Sequence, residues 1–306
     1  MLRGLCVRLA VLPWCAGITG ADAREPGIGP VFQPGSSLGV ANAVPLRPGL
    51  IIATKAAYHD GHILDNSSQS TGVRINYAAD ALQVTWVPDW KILGAGYKTF
   101  VVAPFVKFDQ FRSAPVPAPQ RGESTRIGMA NPRLQVMDLS WDLGEGFYVS
   151  GGFGVFFPLG QWEQNALINI GANFWTFEPV FAFSYYKDGW TASLQAAYDT
   201  NTINPTNQYY SGNQVFLNGT FMKMFSGINF GPVTYYAKQV TPDANYGGRT
   251  TFGGITAPPG ELIGVGGTMS TQFGHLSVQF MITQEVYSIN SIQGTKAWLN
   301  LSYRLY

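Results

Sequence analysis

The sequence predicts an all-β fold, a transmembrane, antiparallel, up-and-down β-barrel of about twelve strands. Three observations carry this. First, the stretch Ile170–Thr202 reads as a long hairpin. Trp175, Phe177, Pro179, Phe181, Phe183 and Tyr185 share one parity, and Thr176, Glu178, Val180, Ala182 and Ser184 share the other. Lys187, Asp188 and Gly189 follow, with the Asp-Gly pair that a type I′ turn favours. Trp190, Ala192, Leu194, Ala196 and Tyr198 then resume the apolar face. Second, further segments alternate in the same way, and their connections alternate long and short. A soluble sandwich has no reason to sort loops by length, whereas an outer-membrane barrel has short periplasmic turns and long external loops. Third, no apolar run approaches the roughly 18 residues a transmembrane helix needs, although 14% of the residues are aromatic.

The totals exclude other classes. Formal net charge is +1 and only 12% of residues are charged, so no basic excess exists to neutralise nucleic-acid phosphates. Disorder would need few aromatics and high net charge. At the N-terminus, Arg3 and Arg8 precede an apolar run, and Ala21-Asp22-Ala23 fits a small-x-small cleavage site, so 1–23 is expected to be a secretory signal peptide. Trp14 before Cys15 argues against a lipoprotein signal. Both cysteines, Cys6 and Cys15, fall in this segment. The exported chain would use no disulfide and would draw its stability from architecture.

Residues 24–48 are rich in Gly and Pro and lack a strand period. They read as a periplasmic N-terminal segment or as a plug folded into a lumen. The barrel then occupies 49–306. Its alternating segments run 49–59, 80–89, 96–107, 127–141, 146–157, 172–186, 190–200, 213–224, 229–240, 261–270, 275–287 and 295–306. Long polar connections are expected at 60–79, 108–126, 158–171, 201–212, 241–260 and 288–294. On 80–88, Leu82, Val84 and Trp86 oppose Gln83 and Thr85. On 275–287, Leu276, Val278, Phe280, Ile282 and Val286 oppose Ser277, Gln279, Thr283 and Glu285. On 295–305, Ala297, Leu299, Leu301 and Tyr303 oppose Trp298, Asn300 and Arg304. The segment 127–141 changes phase: Arg133 and Gln135 agree, then Leu139 and Trp141 take the other parity, as a β-bulge would cause. Aromatics gather at both strand ends, as two interfacial girdles require.

If the aromatic face meets lipid, the other face lines a lumen. The candidates for a substrate pathway are Glu178, Glu285, Arg133, Lys238, Tyr148, Tyr236 and Trp298. Lys55, Lys107, Lys296 and Arg304 are assigned to the same face, with Phe105, Phe156 and Phe216. Paired across the lumen, the charged members form a structural ion network or contact a permeant. An interior mixing rings with a few polar groups suits a small, partly hydrophobic ligand. His59, His62 and His275 are too dispersed for a metal site, and neither a catalytic constellation nor a cofactor motif is visible.

Several runs carry a resemblance. Leu46-Arg47-Pro48-Gly49, Val84-Thr85-Trp86-Val87, Trp175-Thr176-Phe177-Glu178-Pro179, Tyr198-Asp199-x-Asn201-x-Ile203-Asn204-Pro205 and Ser211-Gly212-Asn213-Gln214 are similar, in order, to the family of outer-membrane proteins linked to meta-pathway phenol degradation. The resemblance implies a Gram-negative outer-membrane barrel that admits small hydrophobic or aromatic compounds for catabolism. Its surroundings would be outer-membrane lipid and lipopolysaccharide, reached through the assembly machinery. The alternatives are a selective porin for short saccharides or organic acids, and a secreted β-rich binding protein.

Overall fold

A computed structural model describes residues 25–164 and 166–306; the expected signal peptide lies outside them. Twelve strands form the wall: β1 Gly49–Leu64, β2 Ser70–Val87, β3 Ala95–Arg112, β4 in two pieces at Gly122–Met129 and Arg133–Gly144, β5 Phe147–Phe156, β6 Thr176–Lys187, β7 Trp190–Asn201, β8 Gln214–Phe225, β9 Ile228–Gln239, β10 Glu261–Phe273, β11 Leu276–Ile289 and β12 Ile292–Arg304. Each strand pairs antiparallel with its sequence neighbours, and β1 pairs with β12, so the sheet closes and has no free edge. A tilted strand of 12 residues such as β6 spans about 28 Å, the height of the hydrocarbon core. Among the described residues no helix is long and apolar enough to cross a membrane.

Local chemistry sets the turns. Asp188 and Gly189, with φ of 52° and 73°, close the β6–β7 hairpin between the paired Lys187 and Trp190. Both central residues are left-handed, as a type I′ turn demands, and Asp and Gly tolerate that geometry best. In β4 the register shifts between Gln135 and Met137, against β5, and between Lys98 and Phe100 on β3. This bulge lets Arg133 and Gln135 share the inner face with Asp138 and Ser140, and turns Leu139 and Trp141 outward.

Strands β1 and β2 extend well beyond the expected segments. They are joined at 65–69, so most of 60–79 is strand and not loop. β3 and β4 likewise run on to Arg112 and from Gly122. In these upper pieces the usual polarity inverts. Ile63, Val73, Ile75 and Tyr77 point inward and are buried, while outward Asp60 and Arg74 form a 2.6 Å ion pair. Above the bilayer the outer face meets water and the inner face packs on protein, so the apolar residues change sides.

Residues 25–48 run through the barrel from one end to the other, with 46–48 exposed. Glu25 sits among the external loops, bonded to Ser211. At the other end Arg304 donates to the carbonyls of Arg47 and Pro48 at the short-turn rim. Between these ends Ile28, Phe32, Leu38 and Ala43 are buried.

Candidate functional site

The inner wall carries two ionic centres on opposite sides of the barrel. On β11, β12 and β1, Glu285 accepts from four donors. Lys296 Nζ lies 3.0 Å from Oε1 and His59 Nε2 lies 3.1 Å from Oε2. The backbone N–H of Gly294 reaches Oε2 at 2.9 Å, and the Tyr235 hydroxyl from β9 completes the set. Glu285, Lys296 and His59 are each no more than 2% exposed. A buried charge is tolerated when its partners satisfy its lone pairs in this way.

The second centre spans β4 to β7. Arg133 pairs with Glu178, which is fully buried. The guanidinium lies over the rings of Phe100 and Phe156 at 5.2 and 5.5 Å. Glu178 also lies against the carboxyl of Asp199 across the β6–β7 ladder. Arg133 Nε finds no acceptor among the described residues. The Arg133 guanidinium also donates to Gln135 Oε1.

Between the centres the lumen is filled. Phe156, Ala197, Phe216, Tyr235, Met281 and Trp298 form a buried apolar cluster with Phe32 and Leu38 of the N-terminal segment. The segment is held mostly through its backbone. Gly35 N–H donates to Asn218, Gly39 N–H to Thr220, Asn42 N–H to Ser193 and Ala43 N–H to Ser184. The Ser36 and Leu38 carbonyls accept from Lys55 and Gln279. At the outer end the Glu25 carboxylate accepts from Trp162 Nε1 at 3.1 Å, Asn207 Nδ2 at 2.7 Å and Asn204 Nδ2 at 2.8 Å. Burial pushes the Glu25 carboxyl up from its ordinary range, against the opposing pull of these donors, and nearby Asp243 adds to the rise. Asp243 itself accepts from the Tyr209 hydroxyl and Gly212 N–H, which helps to knit the loops 202–213 and 240–260 into a lid.

Of the residues singled out from sequence, Glu178, Glu285, Arg133, Tyr148 and Trp298 face inward, and so do Lys55, Lys296, Phe156 and Phe216. Four do not. Tyr236 and Lys238 lie on the outer wall of β9, where the Tyr236 hydroxyl donates to Glu261 at 2.7 Å and Lys238 lies 3.2 Å from the same carboxylate. Their neighbours Val233, Tyr235 and Ala237 take the inner face because the plug makes that face apolar. Phe105 and Lys107 of β3 face outward for the same reason: Val106 and Phe108 pack inward, and Lys107 pairs with Asp109 at 2.9 Å. Glu25, Phe32, His59 and Tyr235 carry no sequence signal of their own, whereas Asp199 lies in one of the runs that carry the family resemblance. Only the shared parity of His59 with Lys55 and Ala57 points inward. Among the described residues no group of His, Cys, Asp or Glu could hold a metal ion.

The fold is similar to that of an outer membrane channel from Pseudomonas putida F1, with 13% identity, a TM-score of 0.72, and coverage of 87% of this chain and 98% of that one. A monoaromatic hydrocarbon channel, CymD, aligns at 9% identity and a TM-score of 0.44 over 94% of this chain and 97% of the other. The translocator domain of the autotransporter NalP from Neisseria meningitidis aligns at 10% identity and a TM-score of 0.48, covering 85% and 90%. No curated protein sequence matches. Residues 60–301 match the family described as a putative MetA-pathway of phenol degradation, and the chain belongs to that family.

Proposed function

We propose that this member of the phenol-degradation family is an outer-membrane channel through which small hydrophobic or aromatic compounds enter for catabolism. The observation that carries the reading is the lumen: a bilayer-spanning barrel whose interior, under a lid of external loops, is a cluster of rings and aliphatic side chains. A general porin keeps a polar, water-filled interior, and a polar solute would gain little from Phe156, Phe216 and Trp298. The chain acts as a passage, with no bond made or broken. The polar outer faces of β1 and β2, with Asp60, Arg74 and Asn76, suit contact with lipopolysaccharide above the lipid band. The outer-membrane assembly machinery would insert the barrel.

Deletion of the gene is expected to slow growth on phenol or toluene at low concentration, where entry limits the rate, and to leave growth on succinate unchanged. Large, ohmic conductance of the purified protein in planar bilayers, combined with aromatic entry that does not depend on it, would favour the polar-porin alternative.

A further inference from the structure

We propose that the Phe32 ring occupies the lumen berth of a small neutral aromatic molecule, and that ligand and Phe32 exclude each other. This rests on the channel reading above and names its binding site. Phe32 is the only aromatic residue in 25–48. It is 6% exposed, and its ring centroid lies 4.8 Å from that of Phe216 at an interplanar angle of 53°, inside the favourable range for aromatic pairs. The surrounding cluster draws Phe156, Ala197, Tyr235 and Trp298 from four other strands to the same buried apolar patch. The indole N–H of Trp298 has no acceptor among the described residues, so the cluster also holds one orphan donor.

The way the plug is held makes the exchange feasible. Beside Phe32 the Gln33 amide donates to the Tyr77 hydroxyl at 2.5 Å, and beyond it Gly35, Gly39, Asn42 and Ala43 are held through backbone N–H groups, Asn42 also through its side chain. Such bonds are exchanged for bonds to water when the strap moves, so each contributes only modestly to holding it. A vacated ring berth is different. Water gains nothing from walls of Phe, Ala and Trp, and an apolar cavity of ring size stays dry until an apolar molecule fills it. The strap can therefore shift at modest cost, while the berth demands another ring. A single-ring compound matches the benzyl group that it replaces.

The test uses the full chain purified in detergent and then in proteoliposomes. Phenol binding is read by thermal shift and by tryptophan fluorescence. Phe32→Ala is expected to bind phenol roughly tenfold more tightly than the wild type, since the self-ligand no longer lowers the competent fraction. Phe216→Ala added to Phe32→Ala should lose that gain. Phe32→Leu, which keeps apolar volume without the ring, gives a second folded comparison and should fall between. Equal phenol affinity in the wild type and in folded Phe32→Ala and Phe32→Leu overturns the site. Flux separates this from failure of the channel reading. Phenol flux that the wild type supports but that ignores Phe32 and Phe216 sinks the site alone. Phe216-dependent binding without any protein-dependent flux keeps the site and sinks the channel.

Discussion

Two buried glutamates on opposite walls of one barrel are held in different ways. Glu285 meets two basic side chains, a hydroxyl and a backbone N–H. Glu178 meets one guanidinium, which also donates to Gln135, and lies beside the carboxyl of Asp199. Burial is equal, so the difference lies in partners. The Glu285 centre ties β1, β9, β11 and β12 together and leaves no charge uncompensated. The Glu178 centre rests on a single cation, whose Nε finds no acceptor among the described residues. The first is a clasp of four donors that joins four strands; the second is a single ion pair packed on two rings.

The comparison breaks first at Glu285. Glu285→Ala strands Lys296 and His59, each 2% exposed, and should destabilise the barrel by about 3–5 kcal/mol, the usual result of removing one partner of a buried pair. Urea unfolding in detergent micelles, followed by tryptophan fluorescence, measures it. A loss under about 1 kcal/mol would mean the centre is wet and carries little.

Glu178→Gln should cost less, about 1 kcal/mol, because the amide oxygen can still accept from Arg133 and Gln135 remains bonded to it. Phenol uptake by this variant should change more than its stability does. Equal losses for Glu178→Gln and Glu285→Gln in the same urea assay would erase the distinction between the centres.

These placements bear on what a sequence can disclose. The wall was legible wherever lipid lies outside: Phe177, Phe181 and Phe183 point out, Glu178 and Ser184 point in, and the phase change in β4 correctly marks a bulge. The reading failed where its premise failed. Polar-in, apolar-out holds only for a wet lumen bounded by lipid. Around 60–79 the outer face is above the bilayer, so Val73, Ile75 and Tyr77 turn inward and the alternation resembles a polar loop. Beside the plug, Val233, Tyr235 and Ala237 are inside, which sends Tyr236 and Lys238 out. The position of the plug itself is hard to read, because its anchors are wall side chains and its own contribution is mostly backbone. Its Gly and Pro content describes a chain without strand structure and says nothing about where that chain lies.

Glu25 extends the comparison to a third buried carboxyl, held only by neutral donors: the indole of Trp162 and the amides of Asn204 and Asn207. Neutral donors oppose desolvation less than a cation does, and burial wins, so the carboxyl sits above its ordinary range with Asp243 adding to the shift. The sign follows from linkage. The docked plug binds the Glu25 proton more tightly than a released plug would, so docking is strongest below the pKa of the free carboxyl and weakens as pH rises through the docked one. A cysteine placed at Ser37, under the lid, should therefore react faster with a polar maleimide at pH 8 than at pH 4.5, after correction for thiol ionisation. Glu25→Gln should remove that pH dependence and hold the plug as it is held in acid, an effect of about 1 kcal/mol on docking. Corrected labelling that rises with pH equally in Glu25→Gln would assign the dependence to another group in the lid, Asp243 first.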